Sequence, residues 1–215
     1  MKKVIFFDLD GTLTDPSIGI TNSVMYSLKT YGIEETDREK LYPFIGPPLV
    51  DSFGKYYGFS EEKGREATFR FQEYFSKKGL FENEVYEGIP SLLRRLKEKG
   101  ETVALATSKP EVFALRILEH FDLKRYFDFV CGATMDEKTR CRKDEVLLYA
   151  LETADADPTS SVMVGDREYD ILAGRKFGLS TVGVLYGFGD REELEKAGSD
   201  RIAETVSELE TLLLS

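Results

Sequence analysis

The stretch Val4-Ile5-Phe6-Phe7-Asp8-Leu9-Asp10-Gly11-Thr12-Leu13 decides the fold, because its run of four apolar residues ends on two carboxylates one residue apart. Four consecutive apolar residues bounded by polar ones read as a central parallel strand, buried on both faces. Charge at the carboxyl end of such a strand does not serve stability; it has to meet a cation, a partner or water. In open α/β sheets that end is also where ligands bind. Gly11 lets the chain turn closely about a ligand, and Thr12 sets a hydroxyl beside the carboxylates. The combination reads as an aspartate nucleophile in a metal site. Taken alone, Asp-x-Asp-Gly-Thr also suits an Asx-turn or a helix entry capped by Asp10.

Downstream the chain alternates strand and helix: 102–107, a helix after Pro110, 129–131, a helix after Lys143, 161–165, a helix to Phe177, then 181–185. This alternation implies an α/β fold, a Rossmann-like parallel sheet with helical crossovers. A helix predicted over 89–99 carries Pro90 near its start and Gly100 past its end, with Ile89, Leu92, Leu93 and Leu96 at helical spacing. Between residues 14 and 87 no segment reads as a parallel strand. Apolar positions there fall in three helical stripes: Ile18, Val24, Met25, Leu28 and Tyr31; Leu49, Phe53, Tyr56 and Tyr57; Ala67, Phe69, Phe71, Tyr74 and Phe75. The expected organisation is an α/β core of residues 1–14 and 88–215, with a small helical cap domain, residues 15–87, inserted on two linkers. Such a module can act as a lid.

Composition narrows the partners. With 39 acidic against 29 basic residues, net charge −10, the chain lacks the cationic surface that nucleic acid or an anionic membrane requires. No apolar run approaches the roughly 20 residues of a spanning helix, and the apolar stretch after Lys2-Lys3 is too short for a signal peptide, so a cytoplasmic location is expected. Cys131 and Cys141 form no Cys-x-x-Cys and read as free thiols. His120 is the single histidine, near the end of a predicted helix, where an imidazole is well tolerated, and it supports no His-based triad.

Further polar positions stand at strand ends or helix starts. Thr107 closes an apolar strand, Lys143 opens a helix, and Gly165-Asp166-x-x-x-Asp170 spans the next strand end. Singly, each has a plain structural reading. Lys143 would be a solvated lysine in Arg140-Cys-Arg-Lys-Asp144, Asp166 a capping residue, Asp170 a helix-surface acid, and Thr107-Ser108-Lys109-Pro110 an ordinary helix start. Taken in order with Asp8-x-Asp10-Gly11-Thr12, they strongly resemble the motifs of the haloacid dehalogenase (HAD) superfamily. The resemblance covers essentially the whole chain, with a helical cap between the first and second motifs.

That resemblance implies a role for each residue. Asp8 would attack phosphorus and form an aspartyl-phosphate. Asp10 would act as general acid and then general base. Mg²⁺ would be held by Asp8, the backbone carbonyl of Asp10, and Asp166, with Asp170 adjacent. Lys143 supplies further positive charge, and the Thr107 hydroxyl with the Ser108 N–H, together with Gly11 and Thr12, would bind the phosphoryl oxygens. Halide-displacing members lack the second carboxylate, so Asp8 with Asp10 favours a phosphomonoester phosphatase. A sugar-phosphate mutase is the next nearest enzyme, and a catalytically idle HAD-like binding protein is the alternative of another class. A phosphoacceptor receiver domain does not suit the insertion after the first strand.

The implied substrate is a small phosphorylated metabolite. Phe44-Ile45-Gly46-Pro47-Pro48-Leu49 resembles the cap of bacterial phosphoglycolate-phosphatase-like and 5′-nucleotidase-like members, with a lean to the latter. Gly46, Pro47 and Pro48 are the expected specificity positions, in a turn that starts a cap helix. Two readings stand for Tyr42, Phe44, Phe53 and Tyr56: a stacking face for a base, or bundle core.

Overall fold

The computed structural model of the protein describes residues 1–136 and 139–214. The chain divides into two compact units, one formed by Met1–Thr14 with Val85 onward, the other by Asp15–Glu84. In the first, β1 (Ile5–Phe7) is followed by α4 (Ile89–Glu98), β4 (Val103–Pro110), α5 (Glu111–His120), β5 (Phe129–Ala133), α6 (Lys143–Ala154), β6 (Val162–Gly165), α7 (Glu168–Phe177), β7 (Ser180–Val184), α8 (Arg191–Ala197), β8 (Arg201–Ala203) and α9 (Val206–Leu214). In the second lie α1 (Ser17–Lys29), α2 (Leu49–Tyr57) and α3 (Glu61–Tyr74). The two chain passages between units, β2 (Thr14–Asp15) and β3 (Glu84–Val85), pair with one another.

The six-stranded sheet has the order β5-β4-β1-β6-β7-β8, every neighbouring pair parallel. Val4 to Phe7 are fully buried, as a central parallel strand covered on both faces requires. Strand order runs outward from β1 in both directions, with Phe7 level with Leu105 of β4 and Val164 of β6. Asp8 therefore leaves the sheet at its topological switch point, where crossovers diverge and open a crevice.

Several bounds differ from the sequence expectation, each for a local reason. The core unit resumes at Val85 and not at residue 88, because the Tyr86 N–H donates to the Leu13 carbonyl at 3.1 Å and its ring meets Tyr186 edge-on at 5.1 Å. Strand β4 does not end at Thr107; it continues to Pro110, with a shift of register against β5 between those two residues. β8 and α9 have no counterpart in the expectation, since Arg201-Ile202-Ala203 offers too short an apolar pattern.

In the helical unit, Phe44 and Phe53 are buried and meet edge-on at 5.1 Å, while Phe53 stacks on Phe59 at 5.8 Å. They are bundle core; of the four aromatic candidates only Tyr42 and Tyr56 are exposed. Ile18 and Phe69 point outward despite their place in the apolar stripes, Phe69 being 59% exposed. Among the described residues no helix is long and apolar enough to cross a membrane.

Candidate active site

Past β1 the chain winds around one carbonyl: the N–H groups of Thr12, Leu13 and Thr14 all donate to Leu9 O, and the Gly11 N–H donates to Thr14 O. Gly11 takes φ +80°, and a Cβ on it would stand 2.1 Å from Asp166 Oδ2, so the turn can lie against Asp166 only as glycine. Leu9 is fully buried in the core, and the two flanking aspartates are left at the carboxyl end of the sheet.

Asp166 follows β6 directly and Asp170 lies in the first turn of α7, where its carboxylate accepts from the Arg167 N–H at 3.2 Å. Each is 1% exposed. Carboxylate oxygens of Asp8, Asp166 and Asp170 all come within 4.8 Å of one another. Lys143, the first residue of α6, reaches between them: its Nζ lies 2.7 Å from Asp8 Oδ1 and 2.7 Å from Asp170 Oδ1, and donates to the Ala106 carbonyl at 3.0 Å.

Three carboxylates share one ammonium here, so with all three ionised the negative charge exceeds the positive by two. Burial, with Asp170 and Asp8 as like charges, pushes the Asp166 carboxyl well above the usual range, against the pull of the Phe188 N–H. Burial raises Asp170 to about 6, with Lys143 restraining it and Asp8 adding to it. For Lys143 burial acts downward, yet Asp170 and Asp8 more than offset it and hold the ammonium above its ordinary range. An all-oxygen set with this excess of charge fits a hard divalent cation.

Asp10 is apart from this trio. Its Oδ2 accepts from Lys109 Nζ at 2.6 Å, and its Oδ1 has no hydrogen-bond partner among the described residues. Burial raises the Asp10 carboxyl and Lys109 pulls it back, the net being upward. Thr107 is buried at the same end of the sheet, its hydroxyl accepting from the Lys109 N–H at 3.2 Å, and Ser108 is half-buried beside it. Thr12 Oγ1 points to Asp166 Oδ1 across 3.5 Å. All the expected sheet-domain residues are therefore at one end of one sheet, whereas Gly46, Pro47 and Pro48 belong to the helical unit.

Sequence reasoning missed two contributors. Lys109 was legible only as part of a helix start. The segment Tyr186-Gly187-Phe188-Gly189 carried no motif, yet the Phe188 N–H donates to Asp166 Oδ2 at 2.8 Å and the Tyr186 hydroxyl donates to Thr12 O at 3.1 Å. A Cβ on Gly189 would stand 1.9 Å from the Asp166 carbonyl oxygen, which explains why a glycine holds this approach. Away from the site, Cys131 is a buried free thiol pushed up to about 11, and His120 ends α5 with its ring edge-on to Phe121.

A 5′-nucleotidase of Pseudomonas aeruginosa is 45% identical over 190 residues, 88% of this chain and 86% of that protein. The crystal structure of a predicted phosphatase from Clostridium acetobutylicum superposes with a TM-score of 0.96 at 46% identity, covering 100% of this chain and 99% of the other. The structure of the Mycobacterium tuberculosis protein tyrosine kinase A gives a TM-score of 0.85 at 34% identity, covering 99% and 98%. A family model described as haloacid dehalogenase-like hydrolase matches residues 5–184, and the chain belongs to that family.

Proposed function

We propose that the protein is a Mg²⁺-dependent phosphomonoesterase of the cytoplasm that prefers a nucleoside 5′-monophosphate and works through an aspartyl-phosphate on Asp8. The observation that carries this is the division of labour at the sheet end. Asp8 sits with Lys143 and the acidic trio, and Asp10 stands beside it on its own lysine.

An Asp8 oxygen attacks phosphorus while the bond from phosphorus to the ester oxygen breaks. Asp10 gives its carboxyl proton to that oxygen, which leaves as the alcohol. The ionised Asp10 then takes a proton from water as the water oxygen attacks phosphorus; the bond to Asp8 breaks and inorganic phosphate leaves. Lys143, kept charged by its two carboxylates, offsets the repulsion of the incoming dianion. The Thr107 hydroxyl and the Ser108 N–H supply donors to the non-bridging oxygens; the expected part of Gly11 and Thr12 is not kept, since their N–H groups close the turn onto Thr14 O and Leu9 O and the Thr12 hydroxyl faces Asp166. A divalent cation on Asp8, Asp166, Asp170 and the Asp10 carbonyl would add the remaining charge that phosphoryl transfer calls for.

The nucleotide preference is supported by the relative named 5′-nucleotidase. It is tested by ranking kcat/KM over nucleoside 5′-monophosphates, phosphoglycolate and hexose phosphates, with excess chelator as control. Nucleoside 5′-monophosphates are expected to lead. Release of no inorganic phosphate from any of them overturns the phosphatase, and full turnover in chelator overturns the cation.

The cation has a second signature, in stability. Asp170 rises from 3.8 to about 6, so over that window the folded chain binds more protons than the unfolded one and stability is lost as pH rises. Asp166 acts in the same direction. Metal-free protein is therefore expected to melt at a higher temperature at pH 5 than at pH 8, and Mg²⁺ to close most of that gap. Thermal scans in chelator and in millimolar Mg²⁺ check this; an unchanged gap counts against the trio as the cation site.

We assign substrate choice to the 15–84 unit, because every residue with a chemical role lies in the other. Gly46 takes φ +107°, a conformation a branched residue resists. Gly46→Val is expected to lower kcat/KM for the preferred nucleotide by on the order of tenfold, about 1.4 kcal/mol, with a smaller loss on p-nitrophenyl phosphate. Proportional losses on both, in folded protein, would leave the unit without a part in selection.

A further inference from the structure

Two lysines divide three carboxylates at the carboxyl end of the sheet. Lys143 stands between Asp8 and Asp170, and Lys109 binds Asp10. The Lys109 side chain is 5% exposed and that of Asp10 10%, so the pair is shielded from water and its 2.6 Å contact is a strong, charge-assisted one. Lys109 is itself held in place: its N–H donates to the Thr107 hydroxyl, and it sits where β4 slips register against β5 between Thr107 and Pro110. Register irregularities of this kind re-aim side chains beside active sites.

The contact is made through one oxygen only. Asp10 Oδ2 accepts the ammonium proton, while Oδ1 is buried without a hydrogen-bond partner among the described residues. A carboxylate that must hand a proton to one oxygen and take one from another needs a fixed orientation within hydrogen-bond reach of both. We propose that Lys109 is a positioning residue for the reaction, gripping Asp10 by Oδ2 so that Oδ1 is the oxygen that carries the proton. This rests on the assignment of Asp10 as general acid and base.

Loss of the grip should matter most where proton delivery matters most. Lys109→Met is expected to lower kcat on an alkyl ester, a nucleoside 5′-monophosphate, by on the order of tenfold to a hundredfold with KM within about twofold of wild type. On p-nitrophenyl phosphate, whose leaving group needs little protonation, the loss should be several-fold smaller. Lys109→Arg, which restores a cationic donor, should recover most of it. Lys109→Gln, with a neutral donor of similar bulk, carries the same comparison if the Met variant does not fold.

Asp10→Asn, assayed in parallel, separates the two levels. Equal fractional losses on both esters in Asp10→Asn overturn the acid–base assignment itself. A selective loss there with proportional losses in the Lys109 variants, or an Arg variant no better than Met, overturns the positioning role alone.

Discussion

Asp8→Asn is expected to fold normally and to lose turnover by on the order of 10⁴-fold or more on every phosphate ester, activated or not. An amide oxygen is a poor nucleophile toward phosphorus and cannot yield a stable acyl-phosphate. The substitution also removes one of the three carboxylates whose oxygens crowd within 4.8 Å. Unlike Asp10→Asn, it should show no dependence on the leaving group, because the loss falls on attack and not on departure. The fold should tolerate it: the Asp8 N–H remains donated to Val164 O at 2.9 Å, and removing one charge relieves repulsion on Asp166 and Asp170. Rapid-quench labelling with ³²P-substrate should trap a protein-bound phosphate in wild type and none in the variant. Trapped label in Asp8→Asn, or turnover near wild type, would move the nucleophile elsewhere.

What the sequence made legible was whatever depends on strand ends. Four apolar residues followed by Asp8 announce a central strand. Asp166 follows an apolar run in the same way, and the parallel alternation of strands and helices places such ends side by side. Lys143 was legible as the start of a helix, and the family motif supplied its role. The Lys109–Asp10 pair was not, since it depends on β4 running three residues beyond the apolar pattern and slipping register there. The wrap of residues 186–189 over Asp166 was hidden for a different reason. Its contribution to Asp166 is a backbone N–H, which has no residue-type signature, and the close approach of Gly187 and Gly189, which belong to no motif. In the helical unit periodicity located α1, α2 and α3, yet Ile18 and Phe69 show that an apolar residue on a stripe is not always inside.

Lys143→Met should be the most destabilising single change at the site. Removing one partner from a buried ion pair typically costs about 3–5 kcal/mol, because the other charge is left uncompensated, and here two carboxylates lose their ammonium together. Lys143 is held above its ordinary value of 10.5, so its contribution is fully present below that pH and is lost only as pH rises through the higher folded value. At neutral pH the Met variant therefore lacks all of it. The carboxylates have an escape, however: Asp166 and Asp170, already raised by burial, can take up protons. The stability deficit should accordingly be larger at pH 8 than at pH 5, and a divalent cation, where it binds, should recover part of the deficit at pH 8. Turnover should fall by on the order of 10³-fold even in saturating Mg²⁺, since a preorganised charge at the reacting group has gone. Arginine should not substitute well, its planar fork being too wide for a point held 2.7 Å from two different carboxylates and 3.0 Å from the Ala106 carbonyl. Urea titrations at both pH values, with and without Mg²⁺, read each of these terms. Equal midpoints for wild type and variant at pH 8 would mean that the Lys143 charge is not what holds these carboxylates together.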